Sequence, residues 1–312
     1  MSQERLLQTV VSVLIMAGYN VSERCGMRPR SFDLIAGKRD NLLVIKVVSH
    51  IDSVGEDSAH DLCIIAKHLS AKPLLVGEKS RDSELERGAV YLRYGIIATS
   101  ATTLYDFFVE DVPPLVYAQP GGLYVNINGT KLREMRERHS LSLGDLANSL
   151  GVSRRTISKY ESGMGTTLDI AIKLEELFDT AIVEAIDLLS HGPSPGFDLK
   201  HEEQKEDKSA KSSSVPQDFE RLGMETHPMQ RAPFEALAIY EKTTILAGYG
   251  TAQKTLRRAA LIGNISDITN SRAVCVITDY NKRKKVGKTL IIGEEELSTL
   301  NLGSDLIDLI DE

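Results

Sequence analysis

Apolar and polar positions follow two different periods along this chain, and the change of period divides it into regions. Residues 4–17 carry an apolar stripe at helical spacing and read as an amphipathic helix. Residues 31–36 and 42–48 are short apolar runs on either side of the polar turn 37–41, so they read as a hairpin of two strands. A helix is expected over 59–69, a strand over 73–77, another strand over 95–98 and a helix over 102–108, an order that predicts an α/β domain over 1–112. Near the end of the chain the order returns. Phe32-Asp33-Leu34-Ile35-Ala36 is echoed by Phe234-Glu235-Ala236-Leu237-Ala238, and the strand after it by residues 244–248. A helix is then expected over 252–263 and a strand over 273–278, while 91–107 is matched loosely by 287–300. Gly248 falls about where Lys46 falls in the first copy. The echo lies in element order more than in identity, and it predicts a smaller α/β domain over 231–312 as a degenerate repeat of the first.

Between these regions the pattern is wholly helical. The run 141–163, LSLGDLANSLGVSRRTISKYESG, reads as two short helices joined by a tight turn. Ser142 and Asp145 approximate a capping box, so a helix should begin there. Gly151 can take a positive φ where that helix must stop. Ser153 can cap the next helix, whose inward face would be Ile157 and Tyr160, with Val152 under the turn. Ala147 is small enough for two helices to cross closely. An ordinary helical hairpin in a bundle is the alternative reading of this pattern.

Charge changes the picture. The chain carries a net −7, yet residues 131–160 hold seven basic side chains (Lys131, Arg133, Arg136, Arg138, Arg154, Arg155, Lys159) against Glu134, Glu137 and Asp145, with Glu161 just beyond. A basic island in an acidic chain favours a defined nucleic-acid surface over indiscriminate binding. Arginine suits guanine because its two parallel donors match O6 and N7, so Arg154, Arg155, Ser158 and Lys159 are candidates for base edges. Ser153, Lys131 and Arg133 are better placed for phosphates, and Thr156 belongs to the same candidate surface. Arg136 and Arg138 are expected to be solvated helix faces.

Composition adds limits. With 312 residues, 42% hydrophobic and 26% charged, the chain suits about two or three globular domains. Trp is absent and aromatics make up only 5%, which gives no stacking platform for single strands. The apolar stretch 6–17 is too short to span a bilayer and lacks a signal-peptide pattern, so a cytoplasmic protein without a membrane partner is expected. Cys25, Cys63 and Cys275 are isolated, with no spacing for zinc or a disulfide framework, and neither metal nor other cofactor is expected. Residues 191–230 are rich in charge, Ser and Pro and read as a flexible linker, and 110–122 as a shorter hinge before a DNA-binding unit over 123–190. Two weaker features lie in the last region. The basic cluster Lys282-Arg283-Lys284-Lys285 with Lys288 is either a phosphate-contacting loop or a solvated hairpin tip, and Gly248-Tyr249-Gly250-Thr251-Ala252-Gln253 reads as a plain strand-to-helix turn.

The helical run resembles the helix-turn-helix of phage repressors and of the xenobiotic-response-element type of regulators. Its pattern appears as Ser142, Asp145, Leu146-Ala147, Leu150-Gly151-Val152-Ser153, Ile157-Ser158 and Glu161-Ser162-Gly163. The resemblance implies an all-α Cro-type bundle with a first helix over 131–139, a second over Leu143–Leu150, a recognition helix over Arg154–Glu161 and a packing helix over Leu168–Phe178. Leu143 departs from it, standing where the family often has a Gln that helps contact the DNA backbone. The first domain resembles the restriction-endonuclease-like fold, whose active members carry an Asp on one strand and Glu-x-Lys on the next. Asp33 and Lys46 fit that pattern, but Val44 replaces the Glu, and a hard cation needs oxygen ligands. Asp33 is then expected in a turn or salt bridge, Lys46 in a structural or backbone contact, and the domain as an inactive scaffold.

The order of modules resembles an archaeal family of HTH-type transcriptional regulators. What the resemblance implies is a sequence-specific regulator of double-stranded DNA, not an enzyme, acting as a homodimer whose α/β modules supply dimer contacts and the input of an unknown effector. Its rivals are a metal-dependent nuclease using a degenerate Asp33/Lys46 site and targeted by the helix-turn-helix, and a protein-interaction module that has lost DNA binding.

Overall fold

The computed structural model describes residues 2–81, 83–119, 121–189 and 215–312. The first module runs through α1 (Gln3–Met16), β1 (Asn20–Val21), β2 (Leu34–Lys38), β3 (Asn41–His50), a 3-10 turn at Ile51–Ser53, α2 (Glu56–His68), β4 (Lys72–Ser80), β5 (Ser83–Glu84), β6 (Ala89–Arg93), β7 (Ile96–Ser100) and α3 (Ala101–Phe108). The chain continues through β8 (Val116–Gln119) and β9 (Gly122–Ile127) into α4 (Gly129–Arg138), α5 (Leu143–Leu150), α6 (Arg154–Glu161), β10 (Thr166–Thr167), α7 (Leu168–Phe178) and β11 (Val183–Glu184). The last module holds α8 (Val215–Arg221), β12 (Glu225–Pro228), β13 (Ala236–Tyr240), β14 (Thr243–Gly250), α9 (Ala252–Thr269), β15 (Arg272–Ile277), β16 (Lys284–Val286), β17 (Thr289–Gly293), α10 (Glu294–Thr299) and α11 (Gly303–Asp311). It is a multidomain architecture: α/β, then helical, then α/β.

The two α/β modules share one topology. In the first, the strand order is β1-β2-β3-β4-β7-β6, and in the last it is β12-β13-β14-β15-β17-β16. Each step also has the same sense: antiparallel, antiparallel, parallel, parallel, antiparallel. The register carries the match to single residues. Leu34 lies opposite Ile45 and Ala236 opposite Ala247, so Asp33 corresponds to Glu235 and Lys46 to Gly248. Even the entry turns agree. Gly18 (φ +80) and Gly223 (φ +78) stop α1 and α8, and the following N–H groups of Tyr19 and Met224 return to the carbonyls of Leu14 and Phe219.

Two segments expected as connectors are structured in part. In 110–122, Val116–Gln119 pairs in parallel with β6 and antiparallel with β9, so β8 and β9 extend the first sheet into the helical unit. Pro113-Pro114 and Gly121-Gly122 gave that run its hinge-like signature, but Val116 and Tyr117 supply strand surface between them. Of the expected linker, 191–214 lies outside the described residues, whereas 215–230 holds α8 and β12. Phe219 of α8 and Leu222 just after it are buried, which ties that stretch to the last module.

One apolar cluster crosses from module to module. Phe32, Ile35, Val44, Leu62 and Leu75 from the first join Phe234, Leu237, Leu246, Ala259, Ile262 and Ile265 from the last. Polar contacts register the two. The Ser31 N–H donates to the Arg231 carbonyl at 2.8 Å, and the Arg231 guanidinium reaches Asp57 at 2.9 Å and Asp61 at 3.3 Å. Gly37 eases the approach, because a Cβ would stand 2.9 Å from the Leu42 Cδ2 and 3.0 Å from a methyl carbon of Ile268 on α9. At the edge of the contact the rings of His68 and His227 stack 4.1 Å apart, and the Thr244 hydroxyl donates to the His68 carbonyl.

Burial, with help from His227 and Lys67 and against Glu225, pushes the His68 pKa down from 6.5 to about 4. His68 is therefore neutral when folded and takes up a proton on unfolding between those values, so its contribution to stability is present above pH 6.5 and is lost as pH falls towards 4. Thermal melts should show the midpoint falling through that window. The slope should flatten in His68→Asn, and an unchanged slope would tell against this role for the pair.

Candidate nucleic-acid interface

The helical unit is built by local signals that the chain spells out. Ser142 and Asp145 make the full capping box, each side chain accepting the other's backbone N–H. Gly151 takes φ +69 and ends α5, and the Ser153 hydroxyl accepts from the Thr156 N–H to start α6. Ile157 and Tyr160 turn inward onto Leu132, Met135, Leu146, Ala147, Leu150, Ala171, Leu174 and Phe178. Val125 and Ile127 of β9 close the same core, so the sheet that begins in the first module also floors the helix-turn-helix. Gly129 allows the closest approach: a Cβ there would stand 2.6 Å from the carbonyl oxygens of Tyr160 and Glu161.

Arg136 is not a solvated face residue. Its Nε lies 2.5 Å from a Glu161 carboxylate oxygen, with side chains only 11% and 9% exposed, and its Nη1 donates to the Leu141 carbonyl at 2.9 Å. This pair pins the end of α6 to α4. Arg138, expected to behave alike, is exposed. Charge pattern alone does not separate the two arginines.

The remaining candidates gather around α6. Arg154, Arg155, Ser158 and Lys159 are exposed, and among the described residues Arg154, Arg155 and Lys159 form no ion pair. The hydroxyls of Ser153 and Thr156 lie 2.8 Å apart at the helix start. On α4, Lys131 is partly buried and its backbone N–H is taken by the Asn128 side chain, whereas Arg133 is exposed and 3.4 Å from Glu137. The cationic cluster of the last module is mostly engaged instead. Arg283 pairs with Glu296 and Glu312, Lys285 donates to the Ile310 carbonyl, and Lys288 pairs with Asp267. Gly248 lies within β14, paired with Cys275 of β15 and close against its side chain, and the turn into α9 follows at Gly250-Thr251.

The nuclease-like position is closed by the chain's own charges. Asp33 is buried, with one carboxylate oxygen 2.6 Å from the Arg30 Nε and the other accepting the Val47 N–H at 2.8 Å. The Lys46 ammonium donates to the Arg30 carbonyl at 2.6 Å, and burial pushes its pKa down against the pull of Asp33. Val44 is fully buried and offers no oxygen. The last module repeats the arrangement: Glu235 accepts the Tyr249 N–H and meets Arg258 at 2.8 Å and Lys254 at 3.2 Å. A guanidinium stands against each carboxylate where a cation would need open oxygens, so these residues do not fit a metal. The three cysteines are buried, and burial pushes Cys63 and Cys275 up to about 12, away from thiolate chemistry. No helix of the described residues is long and apolar enough to cross a membrane.

Removing one partner of a buried pair leaves a desolvated charge, so Arg136→Ala should cost about 3–5 kcal/mol and loosen the helix-turn-helix. Arg138→Ala should change stability by less than about 0.5 kcal/mol. Urea unfolding followed by circular dichroism makes the comparison, and equal midpoints for the two variants would refute the pinning role.

Comparison with known proteins agrees with this geometry. The profile of a PD-(D/E)XK superfamily domain matches residues 3–114, and that of a helix-turn-helix domain matches 132–184. A relative from Methanoculleus marisnigri is 60% identical with all of both chains covered, and one from Methanoregula boonei is 58% identical over 99% of this chain and 96% of its own. A relative from Methanosarcina mazei is 41% identical over 100% of this chain and 98% of its own. Each carries the name "Putative HTH-type transcriptional regulatory protein". No solved structure matches the chain. The chain thus belongs to this archaeal family of HTH-type transcriptional regulatory proteins, DNA-binding regulators with a PD-(D/E)XK domain ahead of the helix-turn-helix.

Proposed function

We propose that this regulator recognises a specific double-stranded DNA site by laying α6 in the major groove, as a Cro-type reader, and that it works as a cytoplasmic homodimer. The observation that carries the reading is the free cationic stripe on α6, directly opposite the buried Ile157 and Tyr160. Arg155, Ser158 and Lys159 lie at helical spacing i, i+3 and i+4, which puts them on one face and within reach of base edges. Ser153 and Thr156 at the helix start, with Lys131 and Arg133 on α4, serve the phosphates, Arg133 by exchanging Glu137 for DNA.

In the same reading the last module begins at α8 and is a degenerate second copy of the first. The shared strand order and the shared carboxylate-to-amide hydrogen bond support this. The mutual packing of the copies buries one face of each, so the homodimer forms through other surfaces. The nuclease alternative is disfavoured by Val44 and by the arginines that hold Asp33 and Glu235.

A duplex site enriched from a random pool should contain two half-sites about 34 Å apart, as two-fold pairing requires. Arg155→Ala should cost about 1–3 kcal/mol at that site and relax the preference at one base position. Unchanged affinity and preference after Arg154 and Arg155 are both replaced would overturn the reading. Supercoiled DNA incubated with the protein and magnesium or manganese should stay intact, and cleavage that vanishes in Lys46→Ala would instead establish the nuclease.

A further inference from the structure

The two adjacent arginines that open α6 do not occupy equivalent places. Successive helical residues turn by about 100°, so relative to Ile157 and Tyr160 the outward direction runs through Arg155 and between Ser158 and Lys159. Arg154 falls on the flank, on the side of α5. Its side chain follows that direction. It folds back over Gly144, where a Cβ would stand 2.9 Å from the Arg154 Nε and 3.0 Å from its Nη2. It also lies near Asp145, whose carboxyl is held below the usual range first by the Ser142 hydrogen bonds and further by Arg154.

This place matters because the first turn of α5 carries no other side chain suited to an anion. Leu143 is apolar, Gly144 is bare, and the capping box takes up the N–H groups of Ser142 and Asp145. Resting on the proposed function above, we infer that Arg154 is a phosphate clamp and not a base reader. Gly144 is the positioning residue that holds the guanidinium against the start of α5, where the DNA backbone passes. Base discrimination then belongs to Arg155, Ser158 and Lys159. A charge on the strand backbone adds affinity and salt dependence without sequence information, whereas a fork on a guanine edge adds discrimination.

Gly144→Ala is an informative test because the atom it displaces is the far end of a flexible arginine, and because alanine is the better helix former. The melting temperature should hold or rise while DNA binding weakens, the opposite of a merely structural defect. The full chain, a duplex enriched by the wild type from a random pool, and a bulk competitor duplex are titrated across a salt series. Arg154→Ala should weaken both duplexes by a similar factor and reduce the slope of log K against log salt by about one. Gly144→Ala should move both quantities in the same direction and add little on top of Arg154→Ala. Arg155→Ala should instead cut the ratio between the two duplexes by roughly tenfold or more.

The inference is overturned if Arg154→Ala lowers the ratio and leaves the salt slope alone, or if Gly144→Ala weakens binding as much without Arg154 as with it. Both results leave the DNA-binding reading standing. A wild-type chain that prefers no duplex over bulk DNA overturns that reading itself and the clamp with it.

Discussion

The buried pair of Arg136 and Glu161 is the constraint on which the placement of α6 depends. A short helix such as Arg154–Glu161 has little stability of its own, and it holds its angle only if its ends are tied. Its first end is tied by the Ser153 cap, its middle by Ile157 and Tyr160, and its last turn by Glu161. Burying two charges is costly in itself. What offsets that cost is geometry: a contact of 2.5 Å, a further donor on the Leu141 carbonyl, and a glycine at 129 that lets the start of α4 close over the end of α6. The outer stripe of α6 is then presented at a fixed orientation.

The same logic runs through the α/β modules with a different outcome. Each keeps a carboxylate one residue before its hairpin strand, and each uses it to accept the N–H of the second strand. In a metal enzyme the other oxygen would face a cation. Here Arg30 fills that role for Asp33, and Arg258 with Lys254 for Glu235. The positive charge is supplied by the chain, so the local balance survives while oxygen ligands and an open coordination position do not. The modules meet over an apolar core containing Phe32 and Phe234, so the position has become part of a packed interface.

The link between scaffold and reader is also rigid in kind. β9 pairs with β8 of the first sheet, with β10 before α7 and with β11 after it, while Glu175 on α7 accepts the N–H groups of Ile182 and Val183. The helix-turn-helix is therefore clasped on both sides by strands that continue the nuclease-like sheet. Rotation of the helix-turn-helix against its scaffold would break ladder hydrogen bonds, so the scaffold fixes its orientation.

How much of this was legible depended on the range of the interaction responsible. The bounds of α5 and α6 coincide with the expected ones because caps and stops act within a few residues, at Ser142, Gly151 and Ser153, and those of α7 coincide with what the family resemblance implies. α9 runs on to Thr269, past the expected 263, because Ile265 and Ser266 are buried against the other strands of a three-dimensional contact that a polar-looking tail does not announce. The roles of Asp33 and Lys46 could be anticipated from one missing carboxylate, since chemistry at a metal needs its ligands together. The partners of that carboxylate and of Glu161 could not, because nothing local distinguishes Arg30 from Arg28 or Arg136 from Arg138. The distinction between Arg154 and Arg155 sits between these cases: their helical angle was available from the sequence, but the bare surface that draws Arg154 aside belongs to Gly144 on another helix.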